Sequence, residues 1–278
     1  MQIWLSLLIT ISLLAACPKP VSAAGTPGDW ITRCPYSHTR RADPIVFPNR
    51  PGASHSHDFA GNKTTDAFST SKRLRTTPTT CEDRSDHAAY WIPTLLVNGD
   101  PRHPSDFRNY YVATVSNVAA IRPYPLSLRM LAGNSRAIHR QPTSVVNWGC
   151  GEGTGVETKS YIPDCRAISG ELFLHIIFPS CWGGVHADSP NHRSHMAYPT
   201  DANHCPAGHS VPVPGLIERV EWKPAPAPTT ISLSSGSYVT IHGDFMNGWF
   251  NHDPLGHGLA DLINSCIKAG IECGRVPA

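Results

Sequence analysis

The stretch Glu171-Leu172-Phe173-Leu174-His175-Ile176-Ile177-Phe178 decides how the fold is read. Its apolar side chains are bulky and alternate little, the pattern of a central strand packed on both faces. The segment after it, 179–199, is opposite in character. It sets one cysteine, one tryptophan, one aspartate and three histidines among Gly, Pro, Ser and Asn. Such a segment builds no core. It reads as a loop held on a strand end, where binding and catalytic groups tend to sit.

Working outward, Ala88 to Val97 reads as a strand interrupted at Pro93, which implies an edge or a bulge there. Asn98-Gly99-Asp100 is a turn signal. Tyr110 to Val115 reads as a further strand, and Val211 to Trp222 alternates after two prolines. Pro123 to Leu131 fits either a strand or a short helix. Ile231 to Leu233 and Tyr238 to Ile241 flank Ser234-Ser235-Gly236-Ser237, a hairpin signal. Leu255 to Ala269 is the clear helical segment: Leu255, Leu259, Leu262, Ile263 and Ile267 recur every three or four residues, and Gly270 stops it. Many short strands and one late helix predict a mostly β protein, an antiparallel β-sandwich of jelly-roll type with long loops and a C-terminal helix.

The chain has 278 residues, and residues 24–278 are expected to form a single domain. Pro (26) and Gly (22) are plentiful, in keeping with a loop-rich fold. A net charge of +2 is too small to indicate a nucleic-acid partner. Residues 1–23 read as a secretory signal peptide: an apolar run from Trp4 to Ala16, then Val21-Ser22-Ala23 as a small-residue cleavage site. Leu14-Ala15-Ala16-Cys17 offers the alternative of a lipid anchor on Cys17. No later segment is apolar enough to span a bilayer. Without Cys17, eight cysteines remain, and an even number in an exported chain predicts four disulfides. Nearest-neighbour pairing is expected: Cys34–Cys81, Cys150–Cys165, Cys181–Cys205 and Cys266–Cys273. No Cys-x-x-Cys pair is present to suggest a zinc ribbon.

Three segments carry chemistry. His55 and His57 are two apart, so an extended strand points both imidazoles to one side, as a metal or a substrate would require. Turn histidines bonded to nearby carbonyls are the plainer reading. His192 and His195 are three apart and follow Asp188 and Asn191. A carboxylate beside an imidazole orients it and raises its basicity, although Asp188 or Asn191 capping a turn would explain the same pattern. His242 and Asp244 stand at a strand end, with Phe245 and Trp249 as core residues or as a wall for a sugar ring. No Gly-x-Ser-x-Gly is present, and paired cysteines leave no thiol nucleophile.

His-Ser-His-Asp-Phe-Ala-Gly-Asn at 55–62, Phe-Pro-Ser-Cys-Trp at 178–182, Asp-Ser-Pro-Asn-His-Arg-Ser-His-Met-Ala-Tyr-Pro at 188–199, Cys-Pro-Ala-Gly-His at 205–209 and His-Gly-Asp-Phe-Met-Asn-Gly-Trp at 242–249 together resemble one family. It is the secreted domain-of-unknown-function family nineteen ninety-six, of fungi and actinobacteria, and the resemblance runs from about Pro44 to Cys266. The resemblance implies no activity, and it implies cell-wall polysaccharide only as the setting. The chain departs from the family pattern at Gly183, usually Asp, and at Ser210, usually Pro.

Three readings follow. The first is an extracellular hydrolase of cell-wall or exported polysaccharide. Asp58, Asp188 and Asp244 supply its acid and base, and His57, His195 and His242 tune them. His55, Asn62, Trp182, Asn191, His192, Tyr198, Asn247 and Trp249 would hold substrate, with no cofactor. The second is a non-catalytic polysaccharide-binding protein. The third is a metalloprotein with His57, His195 and His242 on zinc or copper. A monomer is expected in each case.

Overall fold

The computed structural model describes residues 28–200 and 204–275, so the expected leader and Cys17 lie outside the described residues. In chain order the strands begin with β1 (Asp29–Arg33), β2 (Tyr36–Arg40), β3 (His57–Gly61), β4 (Ala89–Pro93), β5 (Leu95–Val97) and β6 (Asp100–Pro101). Next come β7 (Asp106–Val112), β8 (Arg129–Gly133), β9 (Val146–Gly149), β10 (Leu172–Ile177), β11 (Cys181–Trp182) and β12 (Met196–Ala197). The last are β13 (Val211–Pro212), β14 (Gly215–Trp222), β15 (Ile231–Leu233), β16 (His242–Met246) and β17 (Glu272–Arg275).

Two sheets dominate. One has six strands in the order β17-β1-β7-β14-β10-β9, the other five in the order β2-β3-β4-β16-β8. All neighbours in them are antiparallel except β1 and β17. Every second residue of the inner faces enters one shared core. Tyr90, Ile92, Met130 and Phe245 come from one sheet, and Phe107, Tyr111, Leu174, Ile176, Leu216 and Val220 from the other. This is the β-sandwich predicted from the strand count. The strand Leu172–Ile177 is paired on both sides, by β14 and β9, as its apolar run required. The outer face of the five-stranded sheet is also covered. Ala42, Ile45, Ala67 and Leu74 from the segment between β2 and β4 pack on Phe59, Trp91 and Met246 in a second cluster.

Local chemistry explains where elements differ from expectation. Pro93 ends β4, which lies between β3 and β16, and the chain resumes as β5 in a separate three-stranded sheet with β15 and β6. Ile231–Leu233 therefore pairs with Leu95–Val97, while Tyr238–Thr240 turns as a 3-10 helix instead of completing a hairpin. Pro123 and Pro125 keep their stretch irregular until β8 starts at Arg129. The late helix starts at Leu259, not Leu255, because Pro254 and Gly256 (φ +75°) break the turn before it. It runs as α-helix over Leu259–Leu262 and as π-helix over Ile263–Ile267.

The four disulfides join the nearest-neighbour cysteines: Cys34–Cys81, Cys150–Cys165, Cys181–Cys205 and Cys266–Cys273. Among the described residues no helix is long and apolar enough to cross a membrane. Cys150–Cys165 closes a loop of 15 residues that turns between β9 and β10. Replacing both cysteines by alanine is expected to lower unfolding free energy by about 3 kcal/mol, the chain-entropy value for a loop of that length. Chemical denaturation of the oxidised protein measures it.

Candidate metal centre

Strand alternation decides which candidate side chains meet. On β3, His57 and Phe59 point outward, away from the other sheet, while Asp58 and Ala60 point inward. On β16, His242, Asp244 and Met246 point outward, while Gly243 and Phe245 point inward. Gly243 is required by close approach: a Cβ there would lie 2.8 Å from Ile176 Cδ1 and 3.0 Å from Glu218 Oε2. His55 leads into β3 and folds over the same outward face.

Three imidazoles therefore converge. His55, His57 and His242 each offer a ring nitrogen, and these atoms lie within 4.8 Å of one another. Ring centroids are 4.2 Å apart for His55 and His57, 5.1 Å for His55 and His242, and 5.8 Å for His57 and His242. Two tautomers are fixed from behind. His57 Nδ1 donates to the Ala42 carbonyl at 3.0 Å, and His242 Nδ1 donates to the Thr240 carbonyl at 2.8 Å. A carbonyl only accepts, so in each neutral ring Nε2 carries the lone pair, the state a metal needs. The Nε2 atoms of His55 and His57 are buried without a hydrogen-bond partner. Burial lowers all three from the ordinary histidine value: His55 to about 4, His242 to about 3, and His57 well below it, with its two neighbouring rings adding to the effect. At neutral pH the trio is uncharged and acceptor-rich.

Asp244 flanks the trio. Its Oδ2 is 3.9 Å from His242 Nε2 and has no hydrogen-bond partner. Burial, then the nearby Asp43 carboxylate, pushes its carboxyl well above the usual range, and Arg193 works in the other direction. Behind Gly243 lies Glu218, wholly buried, with neither oxygen partnered. Desolvation, and then Asp244, raise it in the same way. Sequence reading missed Glu218, although the signal was present: Leu216, Glu218, Val220 and Trp222 share the inward register of β14, and only one of them is polar.

The Asp188–His195 loop forms a second polar group, one strand away from His242. It docks on β8, the neighbour of β16. Asp188 binds Arg129 Nη1 at 3.0 Å and His192 Nδ1 at 2.8 Å. His195 Nε2 donates to the Arg129 carbonyl at 2.7 Å, and its Nδ1 takes the Ser189 hydroxyl at 3.0 Å. Both ring nitrogens of His195 are thus engaged, and the third imidazole of the trio is His55 in its place. Arg193 spans the gap to the trio, donating to the carbonyls of Leu131 and Gly133 at 3.3 and 2.8 Å. Under the loop lies a cavity of about 390 Å³ lined by His186, Asp188, Ser189, Pro190, Ser194 and His195.

The remaining candidates disperse. Asp58 faces the inner side of its sheet and accepts from Thr39, Thr94 and His103 at 2.5, 3.1 and 3.1 Å, so it does not share a site with His57. Asn62 is buried: its Nδ2 donates to the Leu74 carbonyl and Thr77, and its Oδ1 accepts from Thr64. The glycosylation sequon Asn62-Lys63-Thr64 is therefore closed in the folded chain. Asn247 is likewise spent on Pro125 and Trp249, and Trp249 is a core residue whose Nε1 donates to Tyr111 at 2.9 Å. Neither presents a surface for a sugar. Asn191 caps the turn to Arg193 and Ser194. Trp182 and Tyr198 are partly exposed, bonded to the carbonyls of His186 and Ile177. Cys34, Cys81 and Asp86 also lie close together, but the two sulfurs are joined to each other and leave no thiolate. Asp58→Asn is expected to cost about 1–3 kcal/mol of stability through its hydroxyl and imidazole partners, and to leave metal content unchanged. Unfolding curves and elemental analysis of the variant measure the two effects.

No curated protein and no solved structure matches the chain. The family model described as Domain of unknown function (DUF1996) matches residues 43–249, a span that runs from Asp43 beside the trio to Trp249 in the core. With most of the chain inside that match, the protein belongs to the DUF1996 family.

Proposed function

We propose that the protein is an exported, zinc-dependent hydrolase of cell-wall or exported polysaccharide, with His55, His57 and His242 as the metal ligands. The observation that carries this reading is the convergence of three neutral imidazoles, two of them locked by carbonyls in the tautomer that leaves Nε2 free. Three histidines with a further position open is a donor set of catalytic zinc, which acts as a Lewis acid toward a bound oxygen. The chain's own residues supply the rest. His55, only half-buried, marks the open side of the trio. Asp244 Oδ2, buried and without a partner, is the group positioned to take a proton beside it. The cavity under the Asp188–His195 loop is rich in hydroxyl and imidazole groups of the kind that bind sugar hydroxyls. Four disulfides support an oxidising compartment and hence export.

The paired-carboxylate route finds less support. Asp58 and Asp244 point to opposite faces of one sheet, and Asp188 is held by Arg129 and His192. Two carboxylates cannot flank a glycosidic bond from those places.

Protein purified without a histidine tag is expected to hold zinc that a chelator removes. His57→Ala should lose one equivalent, and His195→Ala should keep it. Product release from cell-wall glycans should vanish with the chelator and return with zinc. Equal metal content in wild type and His57→Ala would overturn the assignment, and copper in place of zinc would overturn its hydrolytic part.

A further inference from the structure

We infer that a second divalent cation site lies where Asp83, Asp253 and His257 meet, away from the histidine trio, and that it clamps the segment before the C-terminal helix to the turn after Cys81. One ligand atom from each of the three residues lies within 4.8 Å of the others. Asp83 is 1% exposed, so its carboxylate is out of water, yet its Oδ2 has no hydrogen-bond partner. Its other oxygen, Oδ1, is spent on the Ser85 backbone N–H at 2.9 Å. An orphaned buried carboxylate oxygen is costly, and it is found where something absent from the protein itself completes it.

The Asp253 side shows the same arrangement. Asp253 Oδ1 accepts from the backbone N–H groups of Leu255 and His257, at 3.0 and 2.7 Å. That turn, allowed by Gly256 at φ +75°, carries His257 back to the carboxylate it follows by four residues. Asp253 Oδ2 accepts from the Ser85 hydroxyl, so the two aspartates are tied to one serine. The charges acting on Asp83 are His257, of opposite sign when protonated, and Asp253, of like sign. A cation between the carboxylates would turn that repulsion into attraction.

Two carboxylate oxygens and one imidazole nitrogen suit zinc or manganese better than calcium, which prefers oxygen alone. The place in the fold gives the site a structural purpose. Phe250 N donates to Ser85 O at 3.0 Å, Leu259 N to Phe250 O at 2.8 Å, and the helix Leu259–Leu262 follows. A metal here would fix the entrance of that helix against the turn.

The test uses the full chain, purified without a histidine tag, stripped with chelator, and titrated with Zn²⁺ and with Mn²⁺. Wild type is expected to bind one equivalent more than Asp83→Asn or His257→Gln, and to gain several degrees more in thermal midpoint when metal is added. His57→Ala should retain this equivalent, which separates the site from the trio. Should Asp83→Asn fail to fold, His257→Gln, at a half-buried position, decides the matter. The same metal content and the same thermal gain in wild type and His257→Gln would overturn the inference.

Discussion

The two sheets are tied across the core by one chain of buried hydrogen bonds. Trp249 Nε1 donates to the Tyr111 hydroxyl at 2.9 Å, the Tyr111 and Tyr90 hydroxyls meet at 2.6 Å, and Tyr90 donates to Asp86 Oδ2 at 2.6 Å. Tyr90 belongs to the five-stranded sheet and Tyr111 to the six-stranded one. Every donor in the run points the same way, so each hydroxyl both gives and receives. Burial pushes the Asp86 carboxyl well above its usual range, and the Tyr90 hydroxyl and Ala88 N–H offset part of that cost. Such a network strongly penalises any packing that would break it. Trp30 stacks on Tyr111 at 4.7 Å and meets Trp249 edge-on, which seals the run from water. The relative placement of β4, and hence of β16 beside it, depends on this bond across the layers.

The outward face of β16 exists because its inward face is filled so tightly. Phe245 enters the core among Tyr90, Tyr124 and Phe178, and Gly243 lets Ile176 and Glu218 approach the backbone. With both inward positions committed, His242 and Asp244 have only the outer side available. The same alternation on β3 brings His57 to that side and turns Asp58 away. One layer of backbone thus separates a dry acid, Glu218, from the cluster of bases.

Much of this was legible in the sequence. Short apolar runs between turn residues announced a sandwich, and the even cysteine count announced four disulfides, although spacing alone does not fix their connectivity. The spacing His55-x-His57 and the pair His242, Asp244 marked two of the elements that meet in the trio. Period-two reading, taken strictly, would also have separated Asp58 from His57. What sequence spacing could not convey was which nitrogen is free. His195 was expected as the third ligand and His55 only as a substrate contact, but the Arg129 carbonyl occupies the Nε2 of His195. Trp249 and Asn247 were expected to hold substrate, but their partners, Tyr111 and Pro125, come from distant parts of the chain and commit both to the interior. Asp83 and Asp253 carried no recognisable pattern, since the turn that joins them to His257 forms only in the fold.

The disulfides close sequence separations of 47, 15, 24 and 7 residues, each between cysteines that are neighbours in order along the chain. Eight cysteines allow 105 complete pairings, and this is the one in which every cysteine takes the next as partner. An emerging polypeptide can close each bridge soon after its second cysteine appears, before any later competitor is present. Correct oxidation then needs little reshuffling, and a mismatched bridge has few opportunities to arise. The same locality means that no covalent link joins one bridged loop to another, so those loops can diverge in sequence independently while the sandwich beneath them stays as it is.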